Sequence, residues 1–281
     1  MVKNKAVYTN EYGDSFEFSL EAKCVITDPD FLTGQNASIA ITQGIGQVGG
    51  SFGNSIVEAK NFTVNGKFIG ICTAKKQELL SVVLPQTRGK LIVCDKYYLD
   101  VMPTKTPYIN PAERYADFQF SLTAAYPYWS SIEKKTEMLA GVIPRFKFPW
   151  LLTAPYVFST KTNGNFTNIL NNGHVDIPYT LTFTASGDVV NPQVVNIKTF
   201  ETIKYNGSLE NDEVLTIIIS HDKYDAESSI YGDVDGKIDI ESNLFRLHPG
   251  ENVLKYTATE NREGLSVEIS FEEEYVGVVQ K

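Results

Sequence analysis

The stretch DFQFSLTA, residues 117–124, alternates apolar and polar side chains without a break. Successive side chains of an extended chain point to opposite faces, so this pattern dictates a strand with one face in a core and the other in water. Similar short runs, bounded by turn residues, recur along the chain. In the first half they fall at 6–8, 16–20, 22–26, 38–42, 56–61, 90–94 and 97–102; in the second, at 179–184, 194–197, 213–220, 243–247, 252–257 and 265–271. One interval departs from this pattern. Residues 75–84 place Leu79, Leu80 and Val83 on one helical face, with Thr73 as cap and Pro85 as stop. Asn65-Gly66 within FTVNGKFI signals a hairpin, and Asp235-Gly236 offers another. No interval supplies the alternating helices of a parallel sheet. The expected class is mainly β: an N-terminal β domain with one short helix, then a second β domain with strands at sandwich-like spacing.

Charge divides the chain in the same way. Residues 1–132 hold 12 Lys+Arg and 12 Asp+Glu, whereas residues 133–281 hold 13 and 22 and carry the whole net charge of −9. Pro144, Pro149 and Pro155 mark an extended crossing between the halves. The expected organisation is a domain at 1–132, a connector at 133–157 and a domain at 158–281. A basic face is missing, which argues against nucleic-acid specificity. No apolar run is long enough to span a membrane, and the start MVKNKAVYTNEYGDSFEF lacks the apolar core of an export signal, so synthesis in the cytosol is expected. A neutral first half could associate with copies of itself without like-charge repulsion, leaving the acidic half outward and solvated.

Candidate chemistry is sparse. Cys24, Cys72 and Cys94 fit no zinc or redox spacing and read as reduced structural thiols. His174, His221 and His248 stand without a second ligand at metal-binding distance in sequence. DVDG at 233–236 reaches its glycine too early for a calcium loop. Glu272, Glu273 and Glu274 read as a solvated cluster. No nucleophile elbow or zinc-protease motif is present. The expectation is therefore no enzyme, no cofactor and no metal.

The string QGIGQVGGSFGNS, residues 43–55, matches the glycine spacing of a dinucleotide-binding loop. Such a loop must open a helix, and the residues after Gly49 are poor helix formers. The alternative is an extended arm: strand-like flanks at 37–42 and 56–62, joined by a tip without fixed structure. Gly44, Gly46, Gly49, Gly50, Phe52 and Gly53 would make this tip, which either orders on a neighbour or is a plain surface loop.

Two longer strings, SNLFRLHPGENVLKYTA at 242–258 and GLSVEISFEEEYVGV at 264–278, resemble the C-terminal signature of the siphophage distal tail protein family, a component of the phage tail-tip and baseplate hub. The residues that carry the resemblance are Phe245, Pro249, Gly250, Asn252, Tyr275, Gly277 and Val278. NNGHVDIPYTLTFT at 171–184 is similar to the family's entry into that domain. YPYW, with Tyr128 and Trp129, is similar to its D-P-Y-W, although Tyr126 stands where Asp is usual. The resemblance implies a galectin-like β-sandwich at the C-terminus and a virion protein that forms a homohexameric ring. Its implied partners are other copies, the tail tube protein, the tail-tip hub or tail-associated protein, and receptor-binding proteins. A carbohydrate-binding module aiding host adsorption is the other reading, with Tyr224, Tyr231 or Phe245 as candidate sugar platforms.

Overall fold

The computed structural model describes residues 5–144, 159–162 and 166–279; Pro149 and Pro155 of the expected connector lie outside them. The chain divides into two compact units, Met1–Ile132 with Glu274–Lys281, and Glu133–Glu273.

The first unit follows directly from the alternating runs. β1 (Ala6–Asn10) pairs with β2 (Ser15–Phe18), and the core takes every second residue: Ala6, Tyr8, Phe16 and Phe18. β3 (Cys24–Ile26) is followed by a hairpin of β4 (Ala37–Thr42) and β5 (Ser51–Val57). Then come β6 (Lys60–Phe68), α1 (Thr73–Val82), β7 (Gly89–Val93), β8 (Tyr97–Pro103), β9 (Tyr108–Ile109) and β10 (Asp117–Ala124). β11 (Trp129–Pro144) then carries the chain out of the unit. One sheet runs β2-β1-β7-β8-β11; β10 pairs with β6, β8 and β9, and β3 with β6. Phe68, Phe118, Phe120 and Trp129 fill the core between them, together with Leu79, Val82 and Val83 from the helical segment.

In the second unit β12 (Ser159–Thr162) pairs with the end of β11. β13 (Thr167–Asn171), β14 (Tyr179–Ala185), β15 (Val189–Val190), β16 (Gln193–Asn196), β17 (Thr202–Lys204) and β18 (Ser208–Leu209) follow. β19 (Val214–Ile219), β20 (Tyr224–Ser228), β21 (Gly232–Asp233), β22 (Gly250–Thr257) and β23 (Leu265–Tyr275) complete it. One sheet is ordered β23-β14-β19-β20-β21 and the other β13-β22-β16-β17. Their inward residues share one core: Leu181, Phe183, Ile217 and Val267 from the first sheet meet Ile169, Val194, Ile203 and Leu254 from the second. This is a β-sandwich, its apolar faces removed from water by each other.

Several local expectations are corrected. Asn65-Gly66 is no turn; both residues lie within the continuous strand β6, paired with β10. Glycine is there for close approach, because a Cβ on Gly66 would sit 2.1 Å from the Phe118 ring and 2.6 Å from the Val25 carbonyl oxygen. Asp235-Gly236 forms a 3-10 turn, Asp235–Lys237, stabilised where the Ala226 N–H donates to the Asp235 carboxylate at 2.6 Å. Residues 243–247 form no strand and contribute one isolated bridge, Leu247 to Ile177. Their apolar residues Phe245 and Leu247 are drawn into the core without a ladder. The helix starts from Cys72 with no side-chain cap, and Val82 is buried where Leu80 is half-buried. Residues 133–144, within the expected connector, are extended as the second part of β11, in keeping with an extended crossing.

The Gly66 contact yields a test. Gly66→Ala should displace the Phe118 ring and lower stability by about 1–3 kcal/mol, the usual cost of overpacking. Urea unfolding of the two chains reads this; equal midpoints would show that the approach is relieved without cost.

Candidate functional site

The hairpin β4–β5 belongs to neither sheet of its unit. Its ladder runs from Ala37↔Val57 to Thr42↔Ser51 with a bulge between Ile39 and Ile41. Every residue from 36 to 59 is exposed, including Ile39, Ile41, Ile45, Val48, Phe52, Ile56 and Val57. No residue from 37 to 57 is charged. The expected glycine tip is shorter than the sequence suggested: β5 begins at Ser51 and takes in Phe52 and Gly53, with Gly53 facing Ala40 across the ladder. Nor is the tip without structure. The Gln47 N–H donates to the Gly44 carbonyl at 3.1 Å, the Gln47 side-chain oxygen accepts the Gly44 N–H at 3.0 Å, and Gly46 and Gly49 turn at positive φ. A strand–turn–strand stands where a dinucleotide loop would need a helix.

The root of this arm is packed. Glu58 N–H donates to the Asn36 carbonyl at 3.0 Å, and the Gln35 amide donates to the Glu58 carbonyl at 2.6 Å. Phe31 stacks on Phe62 at 5.5 Å, and Trp129 lies 6.4 Å from Phe31. The C-terminal segment packs beneath: Val278 N–H donates to the Leu32 carbonyl at 3.0 Å. A Cβ on Gly277 would come within 3.1 Å of that same oxygen. Tyr275 meets Tyr97 edge to face at 5.2 Å. Thus Trp129, Gly277 and Val278, far apart in sequence, converge on the arm's root. Tyr128 is half-buried and packs edge to face on Tyr126 at 5.3 Å.

Lys60, the first residue of β6 after the arm, is only 5% exposed. Among the described residues its ammonium has no hydrogen-bond partner, and neither has the indole N–H of Trp129. The ammonium lies 5.9 Å from the Trp129 ring centroid. Burial pushes its pKa down to about 8.

The remaining motif residues are in the sandwich. Gly250 turns at φ +89° after Pro249. Buried Asn252 accepts the His248 N–H at 3.0 Å and donates to the carbonyls of His248 at 2.7 Å and Gly250 at 3.2 Å, closing the turn on itself. Asn171 plays the same part at the domain entry, donating to Val175 and Leu247 carbonyls at 3.0 Å each. The expected solvated glutamate cluster is not one. Glu273 and Glu274 are 5% and 4% exposed. Each is satisfied: Glu273 by Lys135 at 2.5 Å and by Asn172 at 2.9 and 3.0 Å, Glu274 by the Tyr126 hydroxyl. Buried charge persists where donors replace water. Sequence reading missed these because the donors lie at least 101 residues away.

Of the candidate sugar platforms, Phe245 is buried, Tyr224 is half-buried, and Tyr231 is 54% exposed. The Tyr231 hydroxyl donates to Glu210, which raises its pKa, and the Lys237 ammonium lies 4.9 Å from its ring centroid. Cys24, Cys72 and Cys94 are in no disulfide, and among the described residues no group of three metal-ligating side chains converges. No helix of the described residues is long and apolar enough to cross a membrane.

The two-unit β chain thus holds out an uncharged apolar arm and gathers its sequence motifs into packing and turn closure. Residues 172–275 match the family described as siphovirus-type tail component, C-terminal domain. The crystal structure of SPP1 Dit (gp 19.1), described as a paradigm of the hub adsorption apparatus in phages infecting Gram-positive hosts, has a similar fold. It aligns with a TM-score of 0.70 and 12% identity over 96% of this chain and 98% of that one. The phage P2 baseplate, activated with Ca, aligns with a TM-score of 0.48 and 12% identity over 99% and 100%; that likeness carries no argument. None of the curated proteins matches this chain in sequence. The family match thus covers residues 172–275, and the likeness in fold to SPP1 Dit extends over nearly the whole chain.

Lys60 gives a pH prediction. Its folded pKa lies below the ordinary 10.5, so between pH 8 and 10.5 the unfolded chain binds more protons and stability rises with pH. Below pH 8 the full cost remains, on the order of 3 kcal/mol. Lys60→Met should therefore unfold at a higher temperature at pH 7, with the gap closing by pH 10.5. Thermal melts across that range check it; a variant that melts lower than the native chain at pH 7 would contradict it.

Proposed function

We propose that this chain is a structural, non-enzymatic virion protein that forms a ring, with six copies as the expected number, at the distal end of a long non-contractile phage tail. The ring would join the tail tube protein to the tail-tip hub and to receptor-binding proteins. The observation that carries the reading is the arm: seven large apolar side chains held in water on an uncharged hairpin. A monomeric protein rarely exposes such a contiguous patch, and a partner that covers it gains the burial. The family match of residues 172–275 supplies the context, and the neutral N-terminal half supports self-association without a charge penalty. The acidic half would then face outward, where salt screens neighbouring copies.

Tyr128, Trp129, Phe245, Pro249, Gly250, Asn252, Tyr275 and Gly277 are assigned structural roles in this reading. Gly44, Gly46, Gly49, Gly50, Phe52 and Gly53 are assigned to the arm that engages a neighbour. A second reading, binding of host carbohydrate by the C-terminal unit, is favoured only by the exposed Tyr231 ring flanked by Glu210 and Lys237. Glycan binding that is lost in Tyr231→Ala would support it.

Deleting residues 44–53 tests the main reading. The truncated chain should keep its cooperative unfolding, since no residue removed is in either core, but should lose assembly at concentrations where the native chain assembles. Sedimentation velocity distinguishes the outcomes; assembly unchanged by the deletion would contradict the arm's role.

A further inference from the structure

We propose that Lys135 and Asn172 are a site of covalent self-cross-linking, an isopeptide bond between their side chains formed with Glu273 as the proton carrier. The inference is independent of the assembly reading, since all three residues belong to the second unit.

Three elements distant in sequence build the site. Lys135 lies on β11, Glu273 on its neighbour β23, and Asn172 directly follows β13. One carboxylate oxygen, Oε1 of Glu273, accepts from the Lys135 ammonium at 2.5 Å, from the Asn172 side-chain amide at 2.9 Å and from the Asn172 backbone N–H at 3.0 Å. The amine nitrogen and the amide nitrogen are thus both held against a single atom. Glu273 is 5% exposed, which leaves water little access to compete for these protons. An ion pair alone needs only the ammonium; the shared oxygen adds a route for a proton from one nitrogen to the other.

That route is what the reaction requires. An amine displaces ammonia from a carboxamide when its ammonium first loses a proton and the departing nitrogen gains one. Oε1 of Glu273 takes a proton from the Lys135 ammonium, and the lone pair of the neutral Nζ attacks Cγ of Asn172. The Nζ–Cγ bond forms as the carbonyl electrons move to Oδ1. Glu273 then gives its proton to Nδ2; the carbonyl re-forms, and the Cγ–Nδ2 bond breaks with its electron pair leaving on ammonia. The second proton shed by Nζ makes that ammonia an ammonium ion. An ammonium and a carboxamide become a secondary amide and a free ammonium ion, with no oxidant, reductant or cofactor. Fixed placement of the reacting groups supplies the activation that an amide lacks in water. The competing reaction of an Asn-Gly pair is attack by the Gly173 nitrogen on the same Cγ. It is opposed here, because the Gly173 N–H donates to the Asn171 side-chain oxygen at 2.8 Å in a buried bond. The cross-link closes the chain from 135 to 172, the passage from β11 into the sandwich, and would constrain the unfolded state as a disulfide does.

Intact-mass spectrometry of the purified full chain, held at neutral pH, tests the bond. Loss of one ammonia, about 17 Da, is expected, with a branched tryptic peptide joining position 135 to position 172. Both should disappear in Glu273→Gln, and also in Lys135→Arg, which keeps the positive charge but offers no primary amine. A succinimide at Asn172 gives the same mass loss without any lysine, so a loss that persists in Lys135→Arg would overturn the proposal. A native chain that keeps its full calculated mass and yields no branched peptide would overturn it as well, whatever the variants do. Neither result bears on the arm deletion, so this inference and the assembly reading fail separately.

Discussion

A two-stranded hairpin in water has no core of its own, and that constraint organises this molecule. The arm is held by its ladder, by the turn at Gly44–Gln47 and by a packed root, while its apolar side chains remain uncovered. Isolated hairpins are marginal, so the root must supply what the arm cannot. Phe31 on Phe62, the Gln35 clamp and the Val278 backbone bond do so. The C-terminal Gly-Val is thereby tied to the arm: a larger residue at 277 would push against Leu32 and Thr33, at the point where the chain sets out toward β4.

The second physical theme is the satisfaction of buried polar groups. Asn171 and Asn252 both lie in the β13–β22 ladder, and the side chain of each bonds several further backbone groups at once. Glu273 and Glu274 are neighbours near the end of β23, and each is answered by a different donor set. Lys60 is the contrasting case. Its ammonium is enclosed without a described acceptor, and its lowered pKa is the physical cost of that. Because Lys60 directly follows the arm, its cost falls on the same root that the aromatic cluster stabilises.

Much of the fold was legible because strand periodicity is local. Asp117–Ala124, Tyr179–Ala185 and Val214–Ile219 bury alternate residues as their sequences dictate. The arm's flanks were legible for the same reason. What failed depended on distant partners. Asn65-Gly66 has the composition of a turn, but the ring of Phe118, about fifty residues on, requires glycine within a strand. Residues 243–247 look like a strand, yet the sandwich uses their apolar side chains without their ladder. Glu273 looks solvated until Lys135 and Asn172 are placed beside it.

The central claim is that the arm is an assembly surface, and amide hydrogen exchange across residues 37–57 tests it most directly. Exchange would be followed at concentrations spanning assembly, with the mass of the species present read by native mass spectrometry. The account predicts fast exchange at the tip in the monomer and strong protection in a closed oligomer of identical copies. Equal exchange of these residues in monomer and oligomer would show that the arm stays in water after assembly, and would contradict it.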